Sequence, residues 1–247
     1  MLSKQHVKEH AKFAVYTHLV SAFLIVLIST AIPTVISNVV QMRFFSSADF
    51  LNGFDMAQYV IDHAKEYLIS QVIILLSLVI NLPFEYCLMR YFLVLSGTPA
   101  GVKCSFRVFF SGCENVGAFV KGAFVVLLWD IFSSLGVFVG FFPVYLAFCM
   151  APFYLAVNPS WSVKKCFSES RHLMKGHKKQ AFAIILEFLL LKLAAGLLSY
   201  FGVALLSTLI DLTSHCLMYT ALAVIFMHLN HEKDIQENAD LTSEAQQ

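Results

Sequence analysis

The 247-residue chain has little charge. Asp, Glu, Lys and Arg make up 13% of it, where a soluble chain carries roughly 25% to cover its surface. Much of its surface must therefore face something other than water. An excess of one sign is lacking too. The 17 Lys and Arg stand against 16 Asp and Glu, which removes the basic surplus expected of a nucleic-acid binder. Cysteine pairs are missing. Cys87, Cys104, Cys113, Cys149, Cys166 and Cys216 form no Cys-x-x-Cys, and none sits at metal-ligand spacing from a histidine. They read as small apolar residues of membrane helices, not as a disulfide framework or a metal site. There is no His-Glu-x-x-His, no Gly-x-Ser-x-Gly and no P-loop. No cofactor is expected, and the soluble loops are too short for a separate catalytic domain. The protein is expected to be non-enzymatic.

Long apolar runs are present instead. The chain is 58% hydrophobic and holds 24 Phe. A helix needs about 20 mostly apolar residues to cross a bilayer. The runs predict an all-α, polytopic transmembrane helical bundle of about six spans, near 13–40, 68–95, 116–138, 141–157, 181–202 and 207–229. Residues 1–230 form a single domain in this reading. The first run is longer than the apolar core of a signal peptide, so it reads as a retained span. Pro33, Pro83, Pro143 and Pro152 fall within or beside spans. An amphipathic interfacial helix is expected near 55–67, with Asp55 as its cap. The polar tail 231–247 is expected to be disordered.

Lys and Arg in short loops set orientation. Lys4, Lys8 and Lys12 precede the first span, Lys103 and Arg107 follow the second, and Lys164, Lys165, Arg171, Lys175, Lys178 and Lys179 follow the fourth. The opposite side has Arg43 and Lys65. Both termini are expected in the cytoplasm.

The densest signal is the segment after the fourth run. Pro159 stops a helix and Ser160 or Ser162 can cap a new one. Val163, Cys166, Phe167, Ser170, Leu173 and Met174 recur at three- and four-residue spacing, with Lys164, Lys165, Arg171 and Lys175 mostly on the other faces. Gly176 suits the position just past the helix end. This predicts a second interfacial helix near 160–176. Lys164, Lys165, Arg171 and Lys175 would anchor topology or dock a partner or lipid headgroup, at about 1 kcal/mol per basic residue near an anionic leaflet.

The same segment resembles a bacterial family of polytopic membrane proteins catalogued as domain of unknown function nine-seven-five. The resemblance rests on Met150, Ala151, Pro152, Leu155, Ala156, Asn158 and Pro159, followed by Ser170, Leu173, Met174, Lys175 and Gly176. Arg90, Tyr91 and Phe92 fit an upstream stretch of the family pattern. Val157 stands where the family usually has an acid, and Cys87 where it has Gly. The resemblance implies a shared membrane fold in a bacterial cytoplasmic membrane. It supplies no activity.

Glu85, Lys121, Asp130, Glu187, Lys192 and Asp211 fall inside the apolar runs. Each costs about 2.5–3.5 kcal/mol at the bilayer centre, so each should pair or face a cavity. Counting 1.5 Å per residue puts Glu85, Lys121 and Glu187 in the cytoplasmic half, Lys192 near the midplane, and Asp130 and Asp211 in the outer half. Glu85 and Glu187 against Lys121 and Lys192 is the expected intramembrane cluster. The leading functional expectation is an accessory or scaffold protein acting by interaction. A small transporter or channel-like protein using the cluster comes next, and a lipid-modifying enzyme third. Expected partners are the lipid bilayer, anionic headgroups, and another membrane protein or a second copy, with no nucleic acid.

Overall fold

The computed structural model describes residues 4–29, 64–98, 104–139, 142–201 and 203–244. Among these residues every regular element is a helix. Three helices are long and apolar enough to cross a membrane: Gln71–Gly97, Lys178–Leu198 and Leu206–Lys233. A fourth joins them if the bent pair Val7–Thr17 and Leu19–Ser29 is one span. Their outer faces carry large exposed apolar side chains, such as Leu75, Val79, Leu190 and Leu193. In water that surface would be a liability, and in lipid it has no solvation cost.

The first run is not one straight helix. Helix α1 (Lys4–Thr17) and helix α2 (Leu19–Ser29) meet at 90° around His18. The local ladder explains the break. Thr17 Oγ1 donates to Phe13 O at 2.8 Å, and His18 N–H turns to Val15 O at 3.2 Å. His18 O then accepts the first bond of α2 from Ala22 N–H. Val7, Ala11, Ala14 and Val15 form the buried face of α1, which packs on the last helix. The remainder of the expected span, 30–40, lies outside the described residues.

Helix α3 (Ala64–Gly97) runs unbroken through Pro83. It absorbs the end of the interfacial helix expected at 55–67, whose residues 55–63 lie outside the described residues. Helix α4 (Arg107–Glu114) is held to α3 by the Arg90 guanidinium, which donates to Ser111 O at 2.9 Å. Asn115 then starts helix α5 (Val116–Val139), its Oδ1 accepting from Ala118 N–H at 3.1 Å.

The stretch expected as a span over 141–157 is two short helices, α6 (Phe142–Phe148) and α7 (Ala151–Val157). Pro152 has no N–H to offer Phe148 O, so the ladder fails there. Helix α8 (Val163–Leu173) repairs the gap. Ser170 Oγ accepts from Met150 N–H at 3.2 Å and donates to Ala147 O at 2.8 Å. One hydroxyl thus satisfies a donor and an acceptor that the break released. Residues Ala151 to Leu155 are all buried. Phe153 stacks on Phe226 with ring centroids 5.7 Å apart, and Tyr154 meets the same ring edge-on at 5.0 Å. α7 is therefore enclosed by protein, with α3, α5 and α8 around it.

Helices α9 (Lys178–Tyr200) and α10 (Ala204–Glu244) form an antiparallel hairpin closed by Val203 N–H to Leu198 O and Ser207 Oγ to Ala195 O. α10 also packs on α1 and α3, so α3 and α10 make the centre of the bundle. α10 continues to Glu244, through most of the 231–247 tail for which disorder is expected. Nothing between His231 and Glu244 is Gly or Pro, and extending an existing helix avoids the cost of nucleating one.

Candidate functional site

Polar residues recur every fourth position on two apolar helices. On α3 they are Ser77, Asn81 and Glu85, and on α10 they are Asp211, His215 and Tyr219. Four-residue spacing puts each set on one helix face. The two faces meet. Tyr219 Oη donates to Glu85 Oε1 at 2.5 Å across the α3–α10 contact. From α9, Lys192 Nζ lies 2.8 Å from His215 Nε2, and His215 Nδ1 lies 2.9 Å from Asp211 O. An ammonium has only donors. Nε2 is therefore the acceptor and Nδ1 carries the hydrogen given to the backbone. His215 becomes a fixed brace that holds Lys192 in place.

These groups line two cavities. The larger, about 270 Å³, is bounded by Glu85, Trp129, Asp130, Ile185, Leu189, Lys192, His215, Met218 and Tyr219. The smaller, about 100 Å³, is bounded by Ser29, Asn81, Glu85, Leu88, His215 and Tyr219. Glu85, His215 and Tyr219 are common to both, so the two cavities adjoin at these residues.

The structure brings Glu85 and Lys192 of the expected cluster onto one cavity. It places the other two members elsewhere. Glu187 pairs with Lys8 of α1 and lines a separate, mostly apolar pocket with Lys12, Phe188 and Leu217. Five residues separate Glu187 from Lys192, about 500° of helical rotation, so the two point away from each other. Lys121 faces neither cavity and lies toward Cys166 of α8. Asp130, His215 and Tyr219 take their places. The fourfold spacing of Asp211, His215 and Tyr219 was the signal in the sequence for this face.

The basic helix is α8. Ser162 caps it, its Oγ accepting from Lys165 N–H at 3.3 Å. Gly176, with φ of 93°, turns the chain toward α9 in a conformation that L side chains rarely adopt. Cys166, Ser170, Leu173 and Met174 are buried on the side facing the bundle. Burial pushes the Cys166 thiol above its usual range, so it is an inert filler. Lys164, Arg171 and Lys175 are exposed on the other side. Lys165 is engaged, its Nζ standing 3.9 Å over the Trp161 ring, which in turn stacks on Tyr154. Glu169 binds Lys233 of α10 at 2.8 Å. Of the residues carrying the family resemblance, Pro152 sits at the helix break, Asn158 ends α7, and Ser170 and Met174 are buried beneath α8. Pro159, Lys175 and Gly176 are exposed at the turns around it.

Among the described residues no group of three or more His, Cys, Asp or Glu could hold a metal ion. No family model matches the chain, and no curated protein or solved structure is similar to it.

Proposed function

We propose that this is a non-enzymatic, six-span protein of a bacterial cytoplasmic membrane, with both termini cytoplasmic, that moves a small polar solute or ion through the charged cavity. The six spans combine the long helices above with α5, whose 24 residues measure about 36 Å, and with the broken α6–α7 segment. The bacterial setting rests on the resemblance around residues 150–176, and the orientation on the Lys and Arg distribution.

One observation carries the transport reading: two cavities in the bundle adjoin at Glu85, His215 and Tyr219, residues that line both. Ionisable groups in a membrane interior mark solute and ion paths when they line a cavity. In this reading a solute passes from one cavity to the other beside the Tyr219–Glu85 hydrogen bond. Glu85→Gln keeps an oxygen acceptor at that bond and removes the charge. In proteoliposomes under gradients of protons, sodium, potassium and small polar solutes, the protein is expected to carry a flux above that of empty vesicles. Glu85→Gln should lower it by about tenfold or more, an effect near 1.4 kcal/mol. A folded wild-type protein that passes none of these species would overturn the reading.

The accessory reading, in which the chain acts by docking, is favoured by a different observation. α8 is anchored through its buried side while Lys164, Arg171 and Lys175 stay exposed on the other. Native co-purification tests it. A stoichiometric partner is expected to be lost when Arg171 and Lys175 are changed to Glu, and retention of that partner would remove this surface from the docking role.

A further inference from the structure

The charged cavity is lined by groups of both signs. Glu85 of α3 and Asp130 of α5 bring carboxylates to it, and Lys192 of α9 brings an ammonium. Among the described residues, no ion pair within 4 Å joins Lys192 to either acid. Asp211, whose carboxylate lies 3.5 Å from His215 Nδ1, is a third acid near Lys192 but does not line the cavity. The hydrogen-bonding capacity of the groups that do is only partly used. Tyr219 occupies one oxygen of Glu85, which leaves the other. His215 takes one of the three hydrogens of Lys192. Asp130 makes no hydrogen bond or ion pair with the described residues.

Charges of both signs held apart in a membrane interior are costly, and the cost falls when each meets its opposite. A cation alone would satisfy the acids and be repelled by Lys192. An anion alone would satisfy Lys192 and be repelled by the acids. A molecule carrying both charges can satisfy groups of both signs. The volume of about 270 Å³ has room for a solute of a few heavy atoms with some water around it. We propose that this cavity binds a small zwitterion, an amine and a carboxylate on a short spacer, with Glu85 and Asp130 receiving the ammonium and Lys192 the carboxylate. The proposal names the solute class for the transport reading above and rests on it for the direction of use. Binding itself is a separate claim. His215 is a positioning residue here, since both of its ring nitrogens are occupied in holding Lys192.

Three probes on one three-carbon skeleton isolate the charges: β-alanine, propylamine and propionate. Binding of each to the protein in nanodiscs is measured by calorimetry, beside β-alanine uptake and inorganic-ion flux in proteoliposomes. β-Alanine is expected to bind at least about tenfold more tightly than either single-charge analogue. Glu85→Gln and Lys192→Gln should each abolish that preference while eluting as folded protein. Should either variant fail to fold, the ranking of the three probes on the wild-type protein still decides. Equal or weaker binding of β-alanine overturns the zwitterion proposal, and ion flux in the same vesicles would leave the transport reading standing. β-Alanine binding without any flux supports the site and overturns transport. Neither binding nor flux overturns both.

Discussion

Alanine at Ser170 is expected to destabilise the protein by about 3 kcal/mol, for the loss of one oxygen atom. The hydroxyl sits in a fully buried position and closes two backbone gaps, accepting from Met150 N–H and donating to Ala147 O. Each buried polar group left without a partner costs about 1–3 kcal/mol. Some of the loss returns if Met150 N–H relaxes toward Leu146 O. That oxygen is already approached by the Cys149 thiol at 3.2 Å, so the return is partial. Thermal and denaturant unfolding of the purified protein measures the loss. Ser170→Cys, which keeps a weak donor, should fall between wild type and alanine. A loss under about 1 kcal/mol for alanine would mean that the α6–α7 ladder re-forms without help from α8.

The second large effect is expected at Gly122, where α5 crosses α3. A Cβ added there would lie 2.3, 2.4 and 2.8 Å from three ring atoms of Tyr86. The ring cannot swing away easily, being 1% exposed with its hydroxyl directed at Leu155 O of α7, 3.5 Å away. Gly122→Ala therefore pushes apart two helices, or the aromatic wedge between them, and overpacking of this kind costs about 1–3 kcal/mol and occasionally more. Gly196 on α9 is the control, since a Cβ there meets nothing within 4 Å. Gly196→Ala should be neutral or stabilising by up to about 1 kcal/mol through helix propensity. Equal responses at the two glycines would show that the close approach of α3 and α5 has no energetic weight.

The helical class and several helix ends were legible in the sequence because they depend on local chemistry. The cap at Ser162, the turn at Gly176 and the hairpin break near Gly202 follow from residue type and spacing alone. The intramembrane cluster was half legible for a geometric reason. Counting residues from a helix end gives depth, which is one coordinate, and two charges meet only if their faces also agree. Glu187 shares depth with Glu85 yet points toward α1, where Lys8 receives it. His215 and Tyr219 carry no fixed charge, so a search for charged intruders passes over them, although their spacing from Asp211 marks the face. The bend at His18 and the division of 141–157 had weaker signals. Thr17 and Ser21 are ordinary in helices, and Pro152 announces a break without saying that a serine eighteen residues later fills it.

Length gives α10 a further property. At 41 residues it measures about 61 Å, twice the thickness of the hydrocarbon layer. His215 and Tyr219 ride on it at the cavity, Lys233 grips α8 through Glu169, and the helix continues to Glu244. It is a lever arm with its fulcrum inside the bundle. From Tyr219 to the tip is about 38 Å, so a tilt of about 5° as the Tyr219–Glu85 bond opens would sweep the C-terminal end through about 3 Å. The ion pair between Lys233 and Glu169 would pass part of that displacement to the basic helix.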